Sequence, residues 1–160
     1  MVGLSAALIL RSRGYNEISV AETNPLRRET AAQEKGLTII DPIVEPAAEN
    51  SFDLIVDAVV GVNTRAAASA AIKPGGVIVH IGLLEAEGGL DVRRMTLQEI
   101  TFIGTYTYIM ADFRDTVAAL DTGLLGDLSW IEKRPLAEGG EAFRDLLEGR
   151  AGAAKIVLMP

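Results

Sequence analysis

The chain has 160 residues, 49% of them hydrophobic and 23% charged, enough apolar material for one ordinary core, so a single domain over residues 1–160 is expected. A formal net charge of -7 argues against a nucleic-acid or anionic-membrane partner, because phosphate groups would be repelled before contact. The absence of cysteine excludes a disulfide framework and any thiolate metal site.

The longest apolar runs, such as Leu54 to Val60, fall far short of the about 20 residues needed to span a bilayer. No basic residue precedes the apolar stretch from Met1 to Leu10, so a secretory signal is not expected and a cytoplasmic setting is the default. In chain order, Leu4, Ala7 and Leu8 at helical spacing predict a first helix with Gly14 at its C-terminal cap. A short strand, Ile18 to Glu22, follows. Asn24 as N-cap and Pro25 at the first helical position then open a second helix running to Gly36. Leu37 to Ile40 reads as a strand stopped by Asp41 and Pro42, and the acidic stretch through Glu45 and Glu49 reads as exposed.

Phe52 to Val60 is an almost unbroken apolar run, the pattern of a central parallel strand covered on both faces. After Gly61, Asn63 is expected to cap an alanine-rich helix reaching Ile72, and Lys73-Pro74-Gly75-Gly76 to turn the chain into a strand from Val77 to Ile81. Beyond Gly82 come a loop with Gly88 and Gly89, a helix opened by Asp91, a strand from Thr101 to Tyr106, and a helix with Phe113, Val117 and Leu120 on one face. A helix after Gly139-Gly140, lined by Phe143, Leu146 and Leu147 and ended by Gly149, leads into a last strand, Lys155 to Met159. Such alternation predicts an α/β domain with a mostly parallel sheet.

Ligands of open parallel sheets bind beyond the carboxyl ends of the strands. Gly3 begins the first helix, where a missing Cβ lets the helix approach a strand and bring its positive end to a pyrophosphate. Glu22 ends the next strand near the roughly 20-residue spacing at which an acidic side chain accepts hydrogen bonds from an adenosine ribose. Together, in this order, they point to a nucleotide. Met1-Val2-Gly3 looks like the tail of a Gly-x-Gly-x-x-Gly turn whose first two glycines and preceding strand are absent, so a truncated start is expected.

The chain resembles the medium-chain zinc-type alcohol dehydrogenases over nearly its whole length. The run Phe52 to Ala58 with Gly61, the Lys73-Pro74-Gly75-Gly76 turn, Ile81-Gly82-Leu83, Ile100 to Gly104 and Lys155 to Leu158 come in that family's order and spacing. The resemblance implies a doubly wound, Rossmann-like α/β domain lacking its usual first strand, with NAD as cofactor. It implies that Val59 and Val60 flank the adenine, that Ile81 and Thr105, with Gly82 at the strand end, offer backbone groups near the nicotinamide carboxamide, and that Lys155 stands near the pyrophosphate. Glu22 favours NAD over NADP, whose 2′-phosphate a carboxylate would repel, although Arg27 and Arg28 are placed to neutralise a phosphate.

In that family the catalytic zinc and its ligands belong chiefly to another domain, expected upstream of Met1. Here His80 is the only histidine, inside an apolar strand, and reads as a packed or pocket-lining residue. Tyr15, Tyr106 and Tyr108 lack a lysine four residues on, so the tyrosine-lysine pair of short-chain dehydrogenases is not matched. The expectation is therefore the cofactor-binding part of a dehydrogenase oxidising an alcohol or polyol, inactive as an isolated chain. Removal of the first strand should leave two strand edges unpaired, to be covered by sheet closure, by the Lys155 to Met159 strand or by another chain. The resemblance also implies a homodimer through the strand Thr101 to Tyr106. The alternatives are an S-adenosylmethionine-dependent methyltransferase, which shares the acidic strand end and the Lys-Pro-Gly-Gly turn, and a non-catalytic remnant.

Overall fold

The β-strand and helix signals resolve into short parallel pairs joined by helical crossovers, the connection that parallel strands require. The computed structural model describes every residue from Met1 to Pro160 and divides into two units: unit 1 comprises Met1–Glu45 and Met110–Pro160, unit 2 comprises Pro46–Ile109.

In unit 1, α1 (Val2–Ser12) leads to β1 (Ser19–Ala21), α2 (Pro25–Ala31) and β2 (Thr38–Ile40), with β1 parallel to β2. The predicted Asn24 cap holds, its side chain accepting from the Arg27 N–H at 3.2 Å, but α2 ends at Ala31, short of Gly36. Leu4, Leu8, Ala31, Leu125 and Trp130 form the buried cluster, with Leu37, Ile39 and Ala119 packed on it. The returning segment holds α5 (Met110–Asp121), β6 (Ile131–Pro135), α6 (Gly139–Leu147) and β7 (Lys155–Met159). β6 and β7 pair in parallel from Ile131 with Lys155 to Pro135 with Met159. β7 is thus engaged by β6, a strand not foreseen, and does not cover an edge of the β1–β2 pair. The expected apolar side of α6 is also not buried: Phe143 is 71% and Leu147 90% exposed, and Ala142 is the residue this helix buries.

In unit 2, β3 (Phe52–Asp57), β4 (Ile72–His80) and β5 (Thr101–Gly104) make a parallel sheet in that order, with α3 (Val62–Ala71) and α4 (Val92–Leu97) as crossovers. Ala68, Ile72 and Ile78 are its buried cluster, backed by Ile55, Met95 and Ile100. β3 is an edge of this sheet and leaves Leu54 39% exposed, so it is not covered on both faces as the apolar run suggested. It also stops at Asp57, three residues before Val60. The Lys73 to Gly76 turn is an excursion within β4, since Ile72 pairs with Phe52 and Val77 with Leu54. The cap of α3 is Gly61, with Asn63 inside the helix; the Thr64 hydroxyl accepts from the Gly61 N–H at 2.9 Å.

Charged ties fasten α6 to β6. Asp145 accepts from Arg134 at 2.7 Å and from Arg150 at 2.8 Å and 3.0 Å, while Arg134 also donates to Glu132 at 2.6 Å. Hydrogen bonds from Arg134 first, then Arg150, hold the Asp145 carboxyl below its usual range, and Glu132 and Asp145 raise the Arg134 guanidinium. A depressed folded-state carboxylate contributes stability above its unfolded value, near about 3.9, and loses it as pH falls through the lower folded value. Accordingly, the thermal midpoints of wild type and Asp145→Asn should differ at neutral pH and converge as the pH falls through the lowered folded value of Asp145. A gap that stays constant through the acid range would contradict this role.

Candidate functional site

In unit 2, Asp57 and His80 end β3 and β4 as paired neighbours. Asp57 is 6% exposed, and its carboxylate locks the chain that follows it. One oxygen accepts from the N–H groups of Val59 at 3.2 Å and Val60 at 2.9 Å, and the other from the Thr64 hydroxyl at 2.9 Å. The turn this imposes ends the strand and puts Val60 at a φ of 63°, a left-handed conformation that is costly for a β-branched residue. Val60 is nonetheless buried, at 1% exposure, and Val59 beside it is half exposed.

Gly82 packs against the same turn. A Cβ there would lie 2.5 Å from the Val59 carbonyl oxygen, so the approach of the two strand ends requires glycine. The Ile81 N–H donates to the Asp57 carbonyl at 3.0 Å, and the Thr105 N–H to the His80 carbonyl at 3.0 Å. Of the backbone groups expected to face a ligand, the N–H groups of Ile81 and Thr105 are therefore engaged at the strand ends. A cleft of about 250 Å³ opens here, lined by His80, Gly82, Leu83, Gly104, Thr105 and Tyr106. The His80 ring packs on Phe102 with centroids 5.1 Å apart. At Gly104 a Cβ would meet nothing within 4 Å, which leaves room for a ligand atom.

In unit 1, Gly3 is the second residue of α1, whose cap is Met1. The Met1 amine is lowered mainly by burial, with Glu22 raising it and Arg27 lowering it, so the start of α1, Glu22 and Arg27 are within electrostatic reach of one another. Glu22 accepts from the Asn24 N–H at 2.9 Å. The Arg27 side chain donates to the Leu146 carbonyl at 3.5 Å, whereas Arg28 donates to the Glu22 and Thr23 carbonyls at 2.9 Å and 2.7 Å and pairs with Asp41 at 2.8 Å. Arg28 thus supports the backbone that carries Glu22. Lys155 is exposed at the first position of β7, opposite Ile131.

Of the sequence-predicted residues, Gly3, Glu22 and Arg27 group in unit 1 and Gly82 and Thr105 share one unit 2 cleft with Val59, Val60 and Ile81 adjoining, while Lys155 lies on β7 opposite Ile131. Sequence reading missed Asp57, Leu83 and Tyr106 as parts of the site. A carboxylate interrupting an apolar run was the available signal for Asp57. No group of three or more His, Cys, Asp and Glu side chains is placed to hold a metal ion. A larger cleft, about 460 Å³, lies in unit 1 at Lys133 to Ala137 and Met159–Pro160, where no candidate residue had been placed.

Parallel strands with a glycine-floored cleft past their ends define an α/β architecture of the nucleotide-fold type. Residues 2–122 match the family described as zinc-binding dehydrogenase, and the chain belongs to that family. It is 26% identical over 159 residues to the L-galactonate-5-dehydrogenase of Escherichia coli strain K12, an alignment covering 93% of this chain and 46% of that protein. Among solved structures, alcohol dehydrogenase TADH from Thermus sp. ATN1 superposes with a TM-score of 0.84 at 22% identity, covering 99% of this chain and 48% of that one. Acetophenone reductase from Geotrichum candidum NBRC 4597, solved in complex with NAD, gives a TM-score of 0.83 at 17% identity, covering 97% of this chain and 45% of that one. The chain spans about half the length of these relatives. Family membership sets aside the methyltransferase alternative. No helix is long and apolar enough to cross a membrane.

Since the Val59 carbonyl leaves no space for a methyl group at Gly82, Gly82→Ala should destabilise the protein by about 1–3 kcal/mol through overpacking. Chemical denaturation of the variant checks this, and an unchanged midpoint would show that the strand ends are not in contact.

Proposed function

We propose that the chain is the coenzyme-binding part of an NAD-dependent, zinc-type dehydrogenase that oxidises an alcohol or polyol, with NADP the weaker ligand. Family membership supports the class, and the cleft that joins Gly82 and Thr105 past the ends of β4 and β5 is the observation that carries the reading to this chain's residues. Within unit 2, the carbonyls of Ile81 and Thr105 receive the amide hydrogens of the nicotinamide carboxamide, the open space at Gly104 admits the ring, and the half-exposed Val59 presents apolar surface to the adenine, whereas Val60, expected beside it, is buried and acts only through the turn it forms. Within unit 1, the start of α1 at Gly3 faces phosphate oxygens with its amide groups, Glu22 accepts from ribose hydroxyls, and Arg27 and Lys155 add positive charge.

When bound, such a coenzyme takes up or releases hydride; the residues here bind and orient it. Zinc does not fit this chain: with one histidine and no cysteine there is no ligand set, and no metal step is assigned to it. The polyol class draws support from the relative named as a dehydrogenase of L-galactonate. A homodimer through β5 is part of the proposal, since β5 pairs on one side only, with β4, and all four of its residues are exposed. A cytoplasmic setting accords with it.

Calorimetric titration of the 160-residue chain should show NAD binding more tightly than NADP. Glu22→Ala should narrow that preference by roughly tenfold, about 1.4 kcal/mol. An unchanged affinity ratio would remove Glu22 from the ribose site, and binding of neither coenzyme would favour a remnant that holds no ligand. Incubated with NAD and an alcohol, the same chain should form no NADH; measurable turnover would overturn its assignment as the coenzyme-binding part alone.

A further inference from the structure

Residues 82–90 form neither helix nor strand, so whatever holds this segment must come from side chains and turns. Arg65, on α3, is only 5% exposed, yet its guanidinium meets backbone carbonyls in place of a carboxylate. Its Nε donates to Gly88 at 2.5 Å, one terminal nitrogen to Glu85 at 2.8 Å and the other to Glu87. A buried cation is costly unless its donors find partners, and here each of the three guanidinium nitrogens donates to a carbonyl of one short loop. Glu85 adds two ties. Its carboxylate accepts from the Val62 N–H at 2.5 Å, at the positive end of α3, and its own N–H donates to the Val60 carbonyl at 3.0 Å. Gly89, at a φ of 82°, approaches so closely that a Cβ would lie 2.1 Å from the Val62 carbonyl oxygen. Leu83, near the start of this clamped segment, lines the cleft while remaining 80% exposed.

We propose that Arg65 and Glu85 are positioning residues that fix the segment 83–88 so that Leu83 stands as a preformed apolar wall for the flat ring end of the dinucleotide. This rests on the function proposed above. An apolar side chain held there excludes water from beside the ring without a loop having to order on binding, which would otherwise weaken affinity.

The test compares NADH with ADP-ribose, which lacks the nicotinamide ring, on the 160-residue chain, alongside amide hydrogen exchange. Arg65→Met keeps the apolar stem and removes the donors. In this variant the Glu85 amide, bonded to the Val60 carbonyl, should exchange at least about tenfold faster, with NADH affinity falling roughly tenfold and ADP-ribose affinity changing by less than about twofold. Arg65→Lys should restore part of the NADH affinity. Should Arg65→Met not fold, Glu85→Ala, which lies in the exposed loop, should produce the same selective loss. Equal losses for both ligands, or none, would overturn the inference, as would unprotected exchange of the Glu85 amide in the wild type. Wild-type chain that binds neither ligand would overturn the proposed function itself, and this inference with it.

Discussion

Unit 2 is organised around the buried carboxylate of Asp57. It is satisfied by two backbone amides and a hydroxyl, and through them it ends β3, bends Val59 and Val60 away from the sheet and anchors the first turn of α3 at Thr64. Removing it would leave the buried Val60 N–H without its acceptor, a loss of about 1–3 kcal/mol. The bend is what allows Gly82 to lie against the Val59 carbonyl, and that contact brings the end of β4 to where the cleft opens. The strained backbone of Val60 persists because both its N–H and its carbonyl are held, one by Asp57 and the other by Glu85.

Unit 1 solves a different problem, with two short parallel pairs that each bury little surface. Its stability rests on the cluster of Leu4, Leu8, Ala31, Leu125 and Trp130, which draws α1 and α2 together with the returning segment. Side-chain ties to backbone then fix the region around Glu22. Asn24 caps α2 and also donates to the Gly149 carbonyl at 2.7 Å, and Arg28 holds two consecutive carbonyls while Asp41 balances its charge. The acidic residue proposed to read the ribose therefore sits on a braced loop, which limits the ordering cost that a ligand would have to overcome.

What was legible in the sequence was local. Asn24 and Asp91 cap their helices because cap chemistry needs only three residues, and the apolar runs of β4 and β7 announce strands by composition. The family resemblance and the parallel α/β fold followed from the order of such segments. β6 was not legible: Ile131-Glu132-Lys133-Arg134-Pro135 carries three charges, and it is a strand because β7 pairs with it and Arg134 is clamped between carboxylates. Nor could the run from Phe52 disclose that it stops at Asp57, since that depends on where a side chain turns. Gly82 was recognisable as a glycine after a strand, but the reason for it, a carbonyl 2.5 Å from any Cβ, is tertiary. The Arg65 clamp joins residues about 20 positions apart through backbone oxygens that have no sequence signature.

We propose that a nicotinamide dinucleotide is received by the residues past the strand ends rather than by the larger cleft at Lys133 to Ala137. Backbone amide chemical shifts of the isotope-labelled chain, recorded during titration with NADH, address it most directly. Saturable changes are expected in unit 1 at Gly3 and Glu22 and in unit 2 at Val60, Gly82 and Thr105. Changes confined to Lys133 to Ala137 and Met159, with those positions unmoved, would contradict it.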